Sequence, residues 1–72
     1  MSYGVVLFYT TSAVMRAEKL LKKEGFESKL IPTPRQFSSD CGIALRFDWK
    51  QYAQVNDILN TAHVERDAVY EM

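Results

Sequence analysis

The sequence predicts an α+β fold in which a four-stranded antiparallel sheet carries two helices on one of its faces. Two amphipathic helical segments, each flanked by strand-like segments, are the first observation behind this prediction. The second is the order of the segments along the 72 residues: strand, helix, strand, strand, helix, strand. The chain has no repeat, linker or low-complexity run. We therefore expect residues 1–72 to form a single domain.

The first strand and the first helix are predicted from composition and periodicity. The segment Tyr3–Tyr9 is rich in β-branched and aromatic residues, which is typical of a buried strand. An apolar stripe at helical spacing then predicts a helix near Ser12 to Glu24, and Gly25 suits its end. Three hydroxyls that can cap this helix precede it or begin it: Thr10, Thr11 and Ser12.

After the first helix, the sequence predicts two consecutive strands, then a second helix and a final strand. Alternating apolar residues predict strands at 26–31 and 43–47, and a weaker final strand at 64–70. Asp48 and Gln51 form a capping-box pattern, which predicts that a second helix runs near Trp49 to Ala62.

This order of elements is that of the ferredoxin-like, split βαβ fold (βαββαβ). Right-handed crossovers would give the spatial strand order four-one-three-two, with both helices on one face. An apolar helix-free face, formed by Val6, Phe8, Ala44 and Val69, would favour a homodimer. Replacement of Phe8 by Lys would then disrupt that assembly.

The segment between the second and third strands carries the strongest functional signal. Residues 31–46 hold both prolines, one of the three glycines and the only cysteine, Cys41. Gly42 permits backbone geometries that other residues resist, and the prolines stiffen the chain. This arrangement suits a reactive or carrier cysteine. The alternative is a tight turn in which the small Cys41 side chain fills a gap.

The predicted topology places this loop at the same end of the sheet as the start of the first helix and the end of the second. We therefore expect Cys41 near the backbone N–H groups of Thr11–Ala13, whose partial positive charge favours a thiolate. Arg35 would add positive charge, and Asp40 would oppose it. His63 either shuttles a proton there or merely ends the second helix. The hydroxyls of residues 10–12 either contact a ligand or only cap the first helix.

Composition excludes several classes of protein. Nine Lys and Arg residues balance nine Asp and Glu residues. This balance argues against broad binding to nucleic acids or membranes. One cysteine cannot form an internal disulfide, and one Cys with one His cannot complete a structural zinc site, so no metal or cofactor is expected. The N-terminal residues lack the pattern of a signal peptide, so we expect a cytoplasmic location, where a thiol stays reduced.

The loop also carries a resemblance. The runs Leu-Ile-Pro-Thr-Pro-Arg and Ser-Ser-Asp-Cys-Gly-Ile-Ala-Leu-Arg resemble the small bacterial family of selenium/sulfur carrier-like proteins, and the segment Arg16–Lys23 is similar too. The resemblance covers about residues 3 to 62. It implies a carrier rather than a stand-alone enzyme. Cys41 would hold a persulfide or selenium adduct and relay it from a cysteine desulfurase, or a similar donor, to an acceptor protein.

Two other functions stay open at this point. The chain could be a small anion-binding or regulatory module, in which the helix N-terminus holds the anion and Cys41 is incidental. It could also be a structural partner protein that dimerises through its sheet. Replacement of Cys41 by Ser would preserve the function of an anion-binding or regulatory module, whereas a carrier would lose its sulfur uptake.

Overall fold

The secondary structure follows the predicted order of elements. The computed structural model describes residues 2–37 and 42–72, so Cys41 and the three residues before it lie outside the described part, as does Met1. The strands are β1 (Tyr3–Leu7), β2 (Ser28–Pro32), β3 (Ile43–Asp48) and β4 (Ala68–Glu71). The helices are α1 (Thr11–Lys23) and α2 (Tyr52–Thr61), and a single 3₁₀ turn, Trp49–Gln51, precedes α2.

The four strands form one antiparallel sheet in the order β2-β3-β1-β4. This is the predicted order read from the other edge, so the ferredoxin-like arrangement is confirmed. The register places Leu7 of β1 between Ala44 of β3 and Ala68 of β4. Because residues directly opposite each other share a face, these three side chains lie on the same side of the sheet.

Both helices pack against one face of the sheet, as predicted. The apolar side of α1 and that of α2 meet sheet residues such as Val6, Leu45 and Phe47 in one buried cluster. The helical members of this cluster are Val14, Ala17, Leu21, Val55 and Leu59. Burial of this apolar area is the main force that can hold so small a domain together.

The expected composition of the helix-free face is wrong. Val6 and Phe8 are fully buried in the cluster under the helices, and Val69 packs against that cluster. Only Ala44 lies on the helix-free side, since it belongs to a second buried cluster with Val5 and Leu7. A one-residue shift in phase along a strand exchanges the two faces. Phe8→Lys would therefore bury a charge in the core, and it cannot test association.

Both helices end in the same backbone motif, although a glycine marks it in the sequence only at the end of α1. Gly25 follows α1 with φ of 85°, and the N–H of Phe26 donates to the carbonyl of Leu21. His63 follows α2 with φ of 57°, and the N–H of Val64 donates to the carbonyl of Leu59. These are Schellman motifs. Gly25 is the expected residue for this conformation, and His63 is an unusual one.

Two predicted element boundaries move. The carboxylate of Asp48 accepts a hydrogen bond from the N–H of Lys50 at 3.0 Å, so it caps a 3₁₀ turn, and the predicted capping box with Gln51 is wrong. Strand β4 begins at Ala68, not at Val64, because Val64 completes the end of α2.

Candidate functional site

The end of the sheet where the cysteine loop begins also holds the start of α1. Strand β1 continues through Phe8 and Tyr9 into Thr10, the N-cap residue of α1. Strand β3 starts one residue after Gly42, and its Ala44 is paired with Leu7 of β1. Gly42 and Tyr9 therefore stand at the same end of two neighbouring strands. The predicted position of Cys41 itself lies outside the described residues, as do Ser38, Ser39 and Asp40.

The three hydroxyl residues at the start of α1 divide into one cap and two helical positions. Thr10 has an extended backbone, and its Oγ1 accepts a hydrogen bond from the N–H of Ala13 at 3.1 Å. This confirms a capping role for Thr10. It also means that the N–H of Ala13, one of the groups expected to face the thiol, already has an acceptor. Thr11 and Ser12 are exposed in the first turn.

The loop between β2 and β3 is fastened at its base. The N–H of Thr33 donates to the carbonyl of Gly42 at 3.0 Å, which extends the β2–β3 pairing by one step. Beyond it, the N–H of Phe37 donates to the carbonyl of Pro34 at 3.0 Å and closes a turn that contains the exposed Arg35. A Cβ built at the exposed Gly42 would meet no heavy atom of the described residues within 4 Å.

Phe37 carries the loop across to the far edge of the sheet. Its ring is stacked on that of Tyr70, with the centroids 4.2 Å apart and the planes 4° apart. Tyr70 belongs to β4, whereas Phe37 follows β2, and these are the two opposite edge strands. Phe37 also packs on the buried cluster of Val5, Leu7 and Ala44. Phe37 thus covers part of the helix-free face, through which the expected homodimer would form.

His63 lies beside the residue that leads into α1, as the topology predicts. Both Tyr9 and His63 line an open depression of about 590 Å³, together with residues 59, 60 and 64–66. A guanidinium N–H of Arg16 in α1 donates to the carbonyl of Ala62 at 2.9 Å, which joins the first helix to the end of the second. The exposed side chain of His63 therefore sits at the same end of the molecule as the start of α1.

The guanidinium of Arg66, which lines this depression, donates hydrogen bonds to uncharged oxygen atoms. It donates to the carbonyl of Val64 at 3.0 Å, to Asn56 Oδ1 at 3.1 Å and to Asn60 Oδ1. The two asparagines lie four residues apart and so share one side of α2. These contacts give the half-buried Arg66 a structural role, which is to tie the segment before β4 to the second helix.

Sequence reasoning missed two of these residue sets. The stacking of Phe37 on Tyr70 joins residues 33 positions apart, and no local pattern signals it. Arg66 lies within the predicted final strand at 64–70, where a charged residue only weakens the alternating pattern and does not indicate these contacts. The i, i+4 pair of asparagines on α2 was the one local signal that a donor with several N–H groups could bind there.

Among residues 2–37 and 42–72, no group of three or more His, Cys, Asp or Glu side chains is placed to hold a metal ion. Neither helix in the described part of the chain has the length and apolar character needed to cross a bilayer.

The sequence matches a known protein family. A family model described as "Putative Se/S carrier protein-like" matches residues 3–71, which include both helices, all four strands and the cysteine loop. Neither the curated proteins nor the solved structures gave a match. Because the family match spans nearly the whole chain, this protein belongs to the Se/S carrier protein-like family.

Proposed function

We propose that this protein carries a sulfur or selenium atom on Cys41 and relays it from a donor enzyme to an acceptor protein. The family match over residues 3–71 is the observation that carries the proposal. The residues add a second argument, because Cys41 is the only cysteine of the chain. A carrier with one thiol cannot release its cargo by forming an internal disulfide, so the cargo remains for the acceptor.

The proposed loading step is a thiol exchange with a persulfide. The Cys41 thiolate attacks the outer sulfur of a persulfide on the donor, such as a cysteine desulfurase. A bond forms between Cys41 Sγ and that sulfur, the S–S bond of the donor breaks, and its electron pair leaves on the donor thiolate. The number of thiolates is unchanged and no external oxidant is needed. An acceptor nucleophile then attacks the outer sulfur, and the Cys41 thiolate leaves.

Selenium would follow the same route, with a selenium atom in place of the outer sulfur. The local structure that supports either cargo is the fastened base of the loop. The bond between Thr33 and Gly42 holds the residue next to Cys41 at the end of β3. Gly42, the residue that follows Cys41 in the chain, thus stands at the end of the sheet at which α1 starts.

Intact-mass spectrometry tests the proposal. The protein is incubated with a cysteine desulfurase and cysteine, and the donor's own persulfide is verified in the same sample. We expect the wild type to gain the mass of one sulfur, to lose it on treatment with a thiol reductant, and Cys41→Ser to gain nothing. A parallel incubation with a selenocysteine-loaded donor measures the gain of one selenium.

A relocated thiol is the matched control. Cys41→Ser combined with Gln54→Cys keeps one cysteine but moves it to an exposed position on α2. This variant should take up far less sulfur than the wild type, since a carrier is loaded at a specific site. Equal loading of both proteins would show that any exposed thiol takes up sulfur, and it would overturn the proposal. Absence of loading in the wild type would also overturn it.

The homodimer expected from the sequence is likewise a proposal, and it needs a new test residue. Tyr3 lies on the helix-free face, at the end of β1 that is remote from the cysteine loop, and is 39% exposed. Tyr3→Lys therefore alters that surface without burying a charge. Sedimentation of the wild type and of this variant at tens of micromolar is the measurement, because weak contacts become visible in that range. A monomeric wild type would contradict the proposed dimer.

A further inference from the structure

The two edges of the sheet differ in the backbone groups that they present. Strand β2 forms one edge and β4 forms the other. An edge strand directs every second residue's N–H and C=O groups away from the sheet, where they can pair with a strand of another molecule. The hydrogen bonds that an edge strand makes to its neighbour show which of its residues carry these outward groups.

The edge formed by β2 is protected by a proline. The N–H of Thr33, just after β2, donates to the carbonyl of Gly42 and so points towards β3. Because the direction alternates along a strand, Ile31 also points towards β3, and Pro32 stands at an outward position. Proline has no N–H to donate, and a proline on an edge strand discourages pairing with another chain.

The edge formed by β4 has no such protection. The N–H of Met72 donates to the carbonyl of Tyr3 in β1, so by the same alternation Tyr70 also points towards β1. The N–H and C=O groups of Val69 and Glu71 therefore point away from the sheet. Within the described part of the chain, no strand lies beyond β4 to pair with them.

The side chains beside this edge are apolar and partly exposed. Tyr70 is 42% exposed on the helix-free face. On the other face, the half-buried Val69 and the exposed Tyr52 line one narrow crevice between the sheet and α2. A strand added to β4 would cover part of both surfaces, so apolar burial would add to the backbone hydrogen bonds.

The edge is complementary to β4 of a second copy. A twofold axis perpendicular to the sheet makes two β4 strands antiparallel. With Tyr70 opposite its counterpart, the outward groups of Val69 meet those of Glu71 in the other copy, and both such pairs exchange N–H and C=O hydrogen bonds. With Val69 on the axis instead, Glu71 would face Asp67 of the other copy, and directly opposed like charges are destabilising. The formal net charge of zero adds no general repulsion between copies.

We propose that β4 is an interface between two copies of this chain, which join their sheets through the outward groups of Val69 and Glu71. The helices of both copies then lie on one face of the joined sheet, and the two Tyr70 rings meet on the other face. This surface differs from the helix-free face, through which the sequence led us to expect a homodimer. The interface depends on the backbone of the edge and does not rest on the proposed sulfur transfer.

A proline substitution tests this interface. Glu71→Pro removes the outward N–H of residue 71 and leaves the inward N–H groups of Tyr70 and Met72 in place, so the sheet of each copy can persist. Glu71→Ala is the matched control, because it removes the same carboxylate and keeps the N–H. In sedimentation at tens of micromolar we expect the wild type and Glu71→Ala to be dimeric. Glu71→Pro should weaken dimerisation at least about tenfold, because each dimer loses two hydrogen bonds.

Amide hydrogen exchange of the wild type is a second measurement, and it needs no substitution. Exchange at Val69 and Glu71 should slow as the protein concentration rises, because the dimer protects their N–H groups. Exchange at Leu30, an outward residue of β2, should not change with concentration. Circular dichroism verifies that each variant is folded, and the exchange measurement replaces the comparison if Glu71→Pro unfolds.

Three results would overturn the inference. The first is a wild type that stays monomeric at hundreds of micromolar. The second is a dimer that Tyr3→Lys weakens and Glu71→Pro leaves intact, since its interface would then be the helix-free face. The third is a dimeric wild type in which exchange at Val69 and Glu71 is independent of concentration. None of these results depends on whether Cys41 takes up sulfur, so the interface and the carrier function stand or fall separately.

Discussion

The ring of Phe47 lies directly over Gly4. The two residues are paired across β1 and β3, and a Cβ added at position 4 would stand 2.3 Å from the Cζ atom of that ring and 2.6 Å from Cε1. Phe47 is only 2% exposed and belongs to the core under the helices. The absence of a side chain at Gly4 is therefore what allows the ring to reach the backbone of the neighbouring strand.

Gly4→Ala should lower the free energy of unfolding by about 1–3 kcal/mol, because the buried ring must move to admit the new methyl group. Urea denaturation followed by circular dichroism measures the effect. The matched background is Phe47→Leu, in which the ring is gone and Gly4→Ala should be less harmful. An equal effect of Gly4→Ala in both backgrounds would contradict this steric explanation.

His63→Gly should stabilise the protein by about 0.5–1 kcal/mol. His63 has φ of 57°, a left-handed conformation that glycine adopts without strain and other residues adopt at some energetic expense. Gly25→Ala is the reverse experiment at the end of α1, where φ is 85° and an added Cβ would meet nothing within 4 Å. It should destabilise the protein by a similar amount through the backbone alone. Thermal or urea unfolding that ranks the two variants in the opposite order would disprove the argument.

Thr10→Ala should destabilise the protein by about 1 kcal/mol, because the N–H of Ala13 loses its side-chain acceptor at the start of α1. Thr10→Ser keeps the hydroxyl and should remain close to the wild type. Chemical denaturation of the three proteins gives the comparison. If the Ser and Ala variants were equally unstable, the hydrogen bond would not be the source of the stabilisation.

Arg66→Lys should cost about 1–3 kcal/mol of stability, because a single ammonium group cannot reproduce the fork that reaches Val64, Asn56 and Asn60 together. Arg16→Lys is the matched change, since Arg16 donates one exposed hydrogen bond, to the carbonyl of Ala62. Its effect should be smaller. Urea midpoints test the ranking, and a larger loss in Arg16→Lys would contradict it.

The Cys41 thiol should have a pKa below the value of about 8.5 that is usual for a cysteine. The reason is the expected position of the thiol near the partial positive charge at the start of α1, which Asp40, the preceding residue in the sequence, would oppose. Asp40→Asn should lower the thiol pKa further by removal of a negative charge. The alkylation rate of both proteins against pH gives the two titration midpoints. A wild-type midpoint at or above the usual value would contradict activation by the helix.

The sequence by itself determined the order, kind and pairing of the elements. Period-two alternation in residues 43–47 and the helical spacing of apolar residues after Ser12 are local patterns, and chain connectivity with right-handed crossovers then leaves one strand order. It also determined the candidate thiol, because the chain has a single cysteine. Gly25 likewise predicted the end of α1.

Only the tertiary structure decided what covers each face of the sheet. Val5 and Leu7, not Val6 and Phe8, face the helix-free side, and this depends on the phase of β1. That phase cannot be predicted from a run of consecutive apolar residues, because such a run has no alternation. The left-handed backbone of His63 was also hidden, since its sequence lacks the glycine that usually marks this position.

The contact between Phe37 and Tyr70 is the clearest case of information that exists only in three dimensions. Each residue by itself is an ordinary aromatic of a loop or an edge strand. Their stacking depends on the width of the sheet, on the length of chain after β2 and on the burial of Val5 between them and the core. These distances arise from long-range strand pairing, and local sequence patterns do not encode them because they describe only neighbours along the chain.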